Sequence, residues 1–262
     1  APCGLFVRGK LPEEEKPAVA IVGARDCTTY GRNLSQWFGG ELAAAGVQIL
    51  SGMARGIDAY SHYGALKKDG ATFAVLAGGA DMCYPESNRD IYMELERRGG
   101  IISECPPGVR PLKYYFPLRN RILSGMSDLV LIIEAREKSG SLITADYGLE
   151  QGKEVYAAPG PLGEALSAGC NNLIRQGAGI AISPEQLLEV LHILPGFNMQ
   201  ENKIVLERSE NLVYSCLRLQ AQSLAEICAK TGLTPGETLS VMTKLQMKGY
   251  AKEVYKNYYT LS

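Results

Sequence analysis

Residues 108–121 read Gly-Val-Arg-Pro-Leu-Lys-Tyr-Tyr-Phe-Pro-Leu-Arg-Asn-Arg, four cations interleaved with three aromatic rings. From residue 105 to 127 no Asp or Glu neutralises Arg110, Lys113, Arg119 and Arg121. Cations that follow a sugar-phosphate track, beside flat rings on which unpaired bases stack, are what a groove for a single nucleic-acid strand requires. The same content also suits a loop whose rings plug a core beneath Lys and Arg stems laid over apolar surface. The choice between the two rests on the remainder of the chain.

Three other segments repeat one device. Val22-Gly-Ala-Arg25, Ser51-Gly-Met-Ala-Arg-Gly-Ile-Asp58 and Lys138-Ser-Gly-Ser-Leu-Ile-Thr144 each set small or hydroxyl residues between an apolar run and a helical pattern. Free N–H groups at a helix start, aided by its positive end, seat phosphates. Gly23, Arg25, Ser51, Gly52, Arg55, Ser139 and Ser141 are therefore candidate contacts, joined by Lys113, Phe116, Arg119 and Arg121 from the aromatic segment. The spacing matches neither a dinucleotide fingerprint nor a Walker loop, and each glycine alone suits a tight turn equally well. Asp58 falls where a helix N-cap is expected. A further turn over 77–88 carries Tyr84-Pro85, read as a rigid wall.

Catalytic groupings are otherwise poor. His62 lies one helical turn beyond Asp58 and reads as its structural partner, while His192 sits in an apolar helical pattern. No nucleophile accompanies either, and no metal-ligand spacing occurs. The seven cysteines are scattered and odd in number, which points to reduced thiols and a cytoplasmic protein. With a net charge of −1, a polyanion would have to be met by a local patch. No apolar run is long enough to cross a bilayer, and the first residues read as a trimmed end.

These side chains need elements to hold them. Short Val/Ile/Leu-rich runs over 19–23, 47–51, 72–77, 100–103, 129–134, 155–158 and 179–182 alternate with helical patterns beginning near Tyr30, Asp58, Asn88, Arg119, Leu142, Asn171 and Pro184. That alternation predicts an α/β fold, a parallel sheet covered on both faces, and all the strand-to-helix turns then emerge at one carboxyl edge. The expected division is a Rossmann-like domain over 1–194, a polar linker over 195–208 and a small winged-helix domain over 209–262. The last is read from helical patterns over 212–219 and 223–231, a third helix opening at the capping box Thr234-Pro-Gly-Glu237, and a hairpin turning at Lys256-Asn257. Lys244 and Lys248 share one face of that third helix, placed to meet duplex DNA or a protein.

The motifs resemble those of the DNA-processing protein A (Smf) family along essentially the whole chain. Leu5-Phe-Val-Arg-Gly9, Ala20-Ile-Val-Gly-Ala-Arg25, Tyr84-Pro85 with Asn88, Phe116-Pro-Leu-Arg-Asn-Arg121, Ala158-Pro-Gly160 and Asn171-Asn-Leu-Ile-Arg175 carry the likeness, in order and spacing. The resemblance implies an extended Rossmann-like fold that binds single-stranded DNA, dimerises through that domain and loads RecA recombinase in natural transformation, without an enzymatic step or cofactor. It implies a DNA pocket at Arg25, Arg55, Lys113, Phe116, Arg119, Asn120 and Arg121, with a phosphate contact at Lys113 and a stacking platform at Phe116. Ala24 stands where the family usually has Ser, which removes one phosphate donor, and the helical domain that many members carry before the lead-in is missing. Two other readings stay open. The fold also resembles nucleotide phosphoribohydrolases of the lonely-guy type, although their P-G-G-x-G-T-x-x-E motif is replaced here by 138–144. A duplex-DNA regulator using the winged helix is the other.

Overall fold

The computed structural model describes residues 1–193 and 206–261. The chain divides into two compact units, Ala1–Cys27 with Leu34–Asn198, and Thr28–Asn33 with Met199–Ser262. Residues 194–205, which hold most of the expected linker, lie outside the described residues.

The first unit is built on an eight-stranded sheet. Its strands are β1 (Phe6–Gly9), β2 (Ala18–Gly23), β3 (Gln48–Ser51), β4 (Thr72–Leu76), β5 (Gly100–Ser103), β6 (Leu129–Ile133), β7 (Glu154–Ala157) and β8 (Gly179–Ile180). β3 to β6 are buried at every position, as strands covered on both faces must be. The helices are α1 (Thr29–Ala44), α2 (Ile57–Lys67), α3 (Arg89–Arg98), α4 (Tyr115–Gly125), α5 (Leu142–Glu150), α6 (Ala168–Arg175) and α7 (Pro184–Val190). The expected α/β, Rossmann-like class is the observed one.

Strand order is β1-β5-β4-β3-β2-β6-β7-β8, parallel throughout except for β1 against β5. The chain steps outward from β2 to β5, then returns through α4 to place β6 on the other side of β2. Order therefore reverses between β2 and β6, and a crevice opens beyond their carboxyl ends.

Three local expectations are corrected. β1 was not expected, because all four of its residues are exposed and no alternation marks it as a strand. α4 starts at Tyr115 and not near Arg119, since Pro117 falls in the first turn, where its missing N–H costs nothing. α6 likewise begins three residues early, at Ala168.

The second unit contains α8 (Arg208–Cys216), β9 (Gln222–Ser223), α9 (Leu224–Thr231), α10 (Pro235–Met247), β10 (Ala251–Tyr255) and β11 (Tyr258–Leu261), with sheet order β10-β11-β9. Val213, Ile227, Met242, Leu245 and Tyr259 form its core. The capping box is present: the Glu237 carboxylate accepts from Thr234 N at 2.9 Å, and Thr234 Oγ1 accepts from Glu237 N at 3.4 Å. The hairpin turns at Lys256-Asn257, with Asn257 at φ 62°.

Candidate nucleic-acid interface

A cavity of about 210 Å³ lies at the crevice between β2 and β6. The loops after β2, β3 and β6 and the first turns of α4 supply its walls, with Gly23, Arg25, Asp58, Phe116, Arg119 and Ser141 among the lining residues. Four segments far apart in sequence thus meet at one place because their strands and helices end there.

Arg119 forms the floor. It is only 7% exposed. Its Nη1 donates to Gly52 O at 3.0 Å and also to Val75 O, and its Nε donates to Asn120 Oδ1 at 3.1 Å. Burial pulls its pKa down to about 10, opposed by the nearby Asp58 charge. Asp58 is pushed up by burial and held back first by Arg119, then by hydrogen bonds from the Ala54 and Gly52 backbone. Gly52 N meets Asp58 Oδ2 at 3.1 Å. Asp58 is not the N-cap of α2, a position that Gly56 takes; from the first turn of the helix it folds the preceding loop back onto itself. The sequence marks Arg119 as a candidate contact but gives no sign that its guanidinium is buried and committed to backbone carbonyls.

Gly52 is needed to admit that guanidinium, since a Cβ there would fall 2.4 Å from Arg119 Nη2. Gly23 is needed for strand approach. A Cβ on it would stand 1.8 Å from the Ile133 carbonyl oxygen, its register partner on β6. Gly23→Ala is expected to lower stability by about 1–3 kcal/mol or more as β2 and β6 are forced apart, read as a lowered urea midpoint with an unchanged slope. Ser51, expected at a phosphate seat, is fully buried and donates to Ile21 O at 2.6 Å, so its hydroxyl belongs to the sheet. Ala24, at the usual serine position, is buried as well.

The lip carries the exposed chemistry. The guanidinium carbon of Arg25 lies 5.0 Å from the centroid of the half-buried Phe116 ring, a cation–π arrangement. The Tyr84 ring meets Phe116 edge to face at a centroid distance of 6.1 Å. Asn120 Nδ2 donates to Gly140 O at 3.3 Å and ties α4 to the loop after β6. In that loop the Ser139 and Ser141 hydroxyls are 2.8 Å apart at the start of α5. Lys113 is exposed on the approach to α4. Arg55 is exposed too, 3.7 Å from Asp26. Arg121 is not brought to the cavity and pairs with Glu104 at 2.5 Å.

Tyr84, read from the sequence as part of a rigid wall, stands at the lip against Phe116, and Asn88, which the sequence marked as a helix start, supports it. Asn88 Nδ2 donates to Met53 O at 2.8 Å, bracing the loop after β3 from the turn that carries Tyr84. Their nearness to Pro85 in a Gly-rich turn was the available signal.

His62 is not Asp58's partner. Its Nδ1 lies 2.7 Å from Thr72 Oγ1, which itself donates to Ile49 O, so the imidazole donates from Nδ1. Burial, with a smaller push from Arg119, lowers its pKa to about 3.

In the second unit, Lys244 pairs with Glu207 at 3.2 Å and Lys248 with the buried Glu210 at 2.6 Å. These lysines clamp α10 to the start of α8. Among the described residues no group of three or more His, Cys, Asp or Glu could hold a metal, and no helix is long and apolar enough to cross a membrane.

A doubly wound sheet with a cation- and ring-bearing cleft at its switch point places the first unit among Rossmann-like α/β proteins. The chain belongs to the DNA recombination-mediator protein A family, whose model matches residues 1–192. It is 37% identical over 271 residues to protein Smf of Escherichia coli (strain K12), covering 99% of this chain and 72% of that protein. The structure of DNA processing protein A from Streptococcus pneumoniae superposes with a TM-score of 0.67 at 38% identity, over 71% of this chain and 65% of that one. DNA processing protein A from Helicobacter pylori, solved for its single-stranded DNA binding mode, superposes with a TM-score of 0.66 at 31% identity, over 73% of this chain and 87% of that one. The chain thus spans about two thirds to three quarters of the Smf and S. pneumoniae relatives' lengths.

Proposed function

We propose that this chain binds single-stranded DNA in the crevice at the carboxyl ends of β2, β3 and β6, holds it without altering it, and loads RecA recombinase onto it in natural transformation. The observation that carries the reading is the Arg25–Phe116 pair at the mouth of the cavity, a cation and a base-sized ring within 5.0 Å of each other. Lys113 is an exposed cation three residues before Phe116, Ser139 and Ser141 offer hydroxyls at a helix start, and the H. pylori relative was solved for its single-stranded DNA binding mode. The floor beneath is formed by Arg119, whose guanidinium is committed to the Gly52 and Val75 carbonyls. Dimerisation through the Rossmann-like unit and a cytoplasmic location belong to the same proposal. The pairing of Lys244 and Lys248 with carboxylates favours a protein contact over duplex DNA for the second unit.

Fluorescence anisotropy with labelled oligo(dT) tests the reading. Phe116→Ala and Lys113→Ala should each weaken binding by about 1–3 kcal/mol. With about four phosphates neutralised, log affinity should fall with log salt at a slope near −3. Unchanged affinity in both variants would overturn it, and preference for duplex or release of free base from nucleoside monophosphates would replace it. Recombinase loading is read separately, as faster RecA filament formation on strand held by this protein.

A further inference from the structure

We infer that Tyr84 is a second base-stacking station, set beside Phe116 at an angle that accepts two successive unpaired bases and rejects a stacked duplex. The inference rests on the single-strand reading above and adds a residue and a selectivity to it.

Tyr84 is 51% exposed although it sits in an ordered turn between β4 and α3. An aromatic ring left half in water forgoes burial that would stabilise the fold, and here the surroundings hold it in that position. Its edge-to-face contact with Phe116 fixes the ring from one side. Asn88, four residues on, anchors the turn through Met53 O and Ala54 O. Phe116 in turn is held by Arg25. The two rings are thus one preorganised platform.

Its geometry decides what it accepts. The centroids are 6.1 Å apart and the planes are inclined by 60°. Bases in a duplex are parallel and rise about 3.4 Å per step along each strand, so consecutive duplex bases match the two rings in neither spacing nor angle. A single strand, free to unstack, can spread one step to this distance and turn one base against the next. Stacking on a ring is tolerant of sequence because every base has a π-face. The platform therefore selects for strandedness and not for base identity.

The experiment compares wild type, Tyr84→Ala and Tyr84→Phe, as the full chain, on oligo(dT), on a duplex of equal length and on an oligonucleotide with abasic sites throughout. Tyr84→Ala is expected to weaken oligo(dT) binding about 10-fold or more, to leave the salt slope unchanged because no charge is removed, and to leave duplex affinity unchanged, so that the single-to-duplex ratio falls. On the abasic strand wild type and Tyr84→Ala should bind alike. Tyr84→Phe should match wild type throughout. Equal oligo(dT) affinity of Tyr84→Ala and wild type, or an equal loss on the abasic strand, would overturn the inference while leaving the effect of Phe116→Ala intact. Failure of wild type to bind oligo(dT) would overturn the functional reading itself.

Discussion

Arg119→Met should destabilise the protein by about 3–5 kcal/mol, the range for stripping a buried charge of its counter-charge, although no ion pair at the surface is broken. The guanidinium satisfies Gly52 O and Val75 O and offsets the Asp58 carboxylate. Without it two buried carbonyls lose their donor and Asp58 must take up a proton. Arg119→Lys should rescue little, because a single ammonium cannot copy a planar fork that serves two carbonyls and the Asn120 side chain at once. Urea denaturation gives the measure. The double variant Asp58→Asn with Arg119→Met should be less destabilised than the sum of the two single changes, since each alone leaves the other group unbalanced. A loss under about 1 kcal/mol for Arg119→Met would contradict the assignment.

The second large effect is a loss of stability in acid that is traceable to His62. Burial lowers the native ring's pKa to about 3, while an unfolded histidine titrates near the ordinary 6.5. Between those values the unfolded chain holds a proton that the native one lacks, so stability falls as the pH drops. At about 1.4 kcal/mol per unit, the contribution is about 2 kcal/mol at pH 5 relative to pH above 7. Asp58 works in the opposite sense, its raised pKa letting the native state hold a proton that the unfolded chain has lost. The comparison must therefore be between wild type and His62→Phe, which removes one titration and keeps the other. The variant should lose about 2 kcal/mol less than wild type between pH 7 and pH 5. Parallel pH profiles would show that the imidazole is not buried in a neutral form.

The sheet was legible because strands buried on both faces must be continuously apolar, and the runs at β2 to β6 are. β1 was not, because an edge strand exposed at all four positions carries no such mark. In the site, position was easier to read than role. The same small residues that seat a phosphate also allow close approach, and only tertiary contacts show that Gly52 accommodates Arg119 while the Ser51 hydroxyl is spent on Ile21 O. An arginine is a surface residue by default, so Arg119 reads as a free cation until Gly52, Val75 and Asp58, each from another segment, are seen around it. The ion pairs of Lys244 and Lys248 were hidden for the same reason, their carboxylate partners lying at the start of a different helix.

One guanidinium spans the end of β3 and the middle of β4, fastening two neighbouring strands to α4. The base of the crevice therefore has no independent parts that can slide or part without tearing those bonds. On the proposed reading, a strand would be taken up and let go at the rim, where the exposed Lys113 side chain moves above a foundation that stays put.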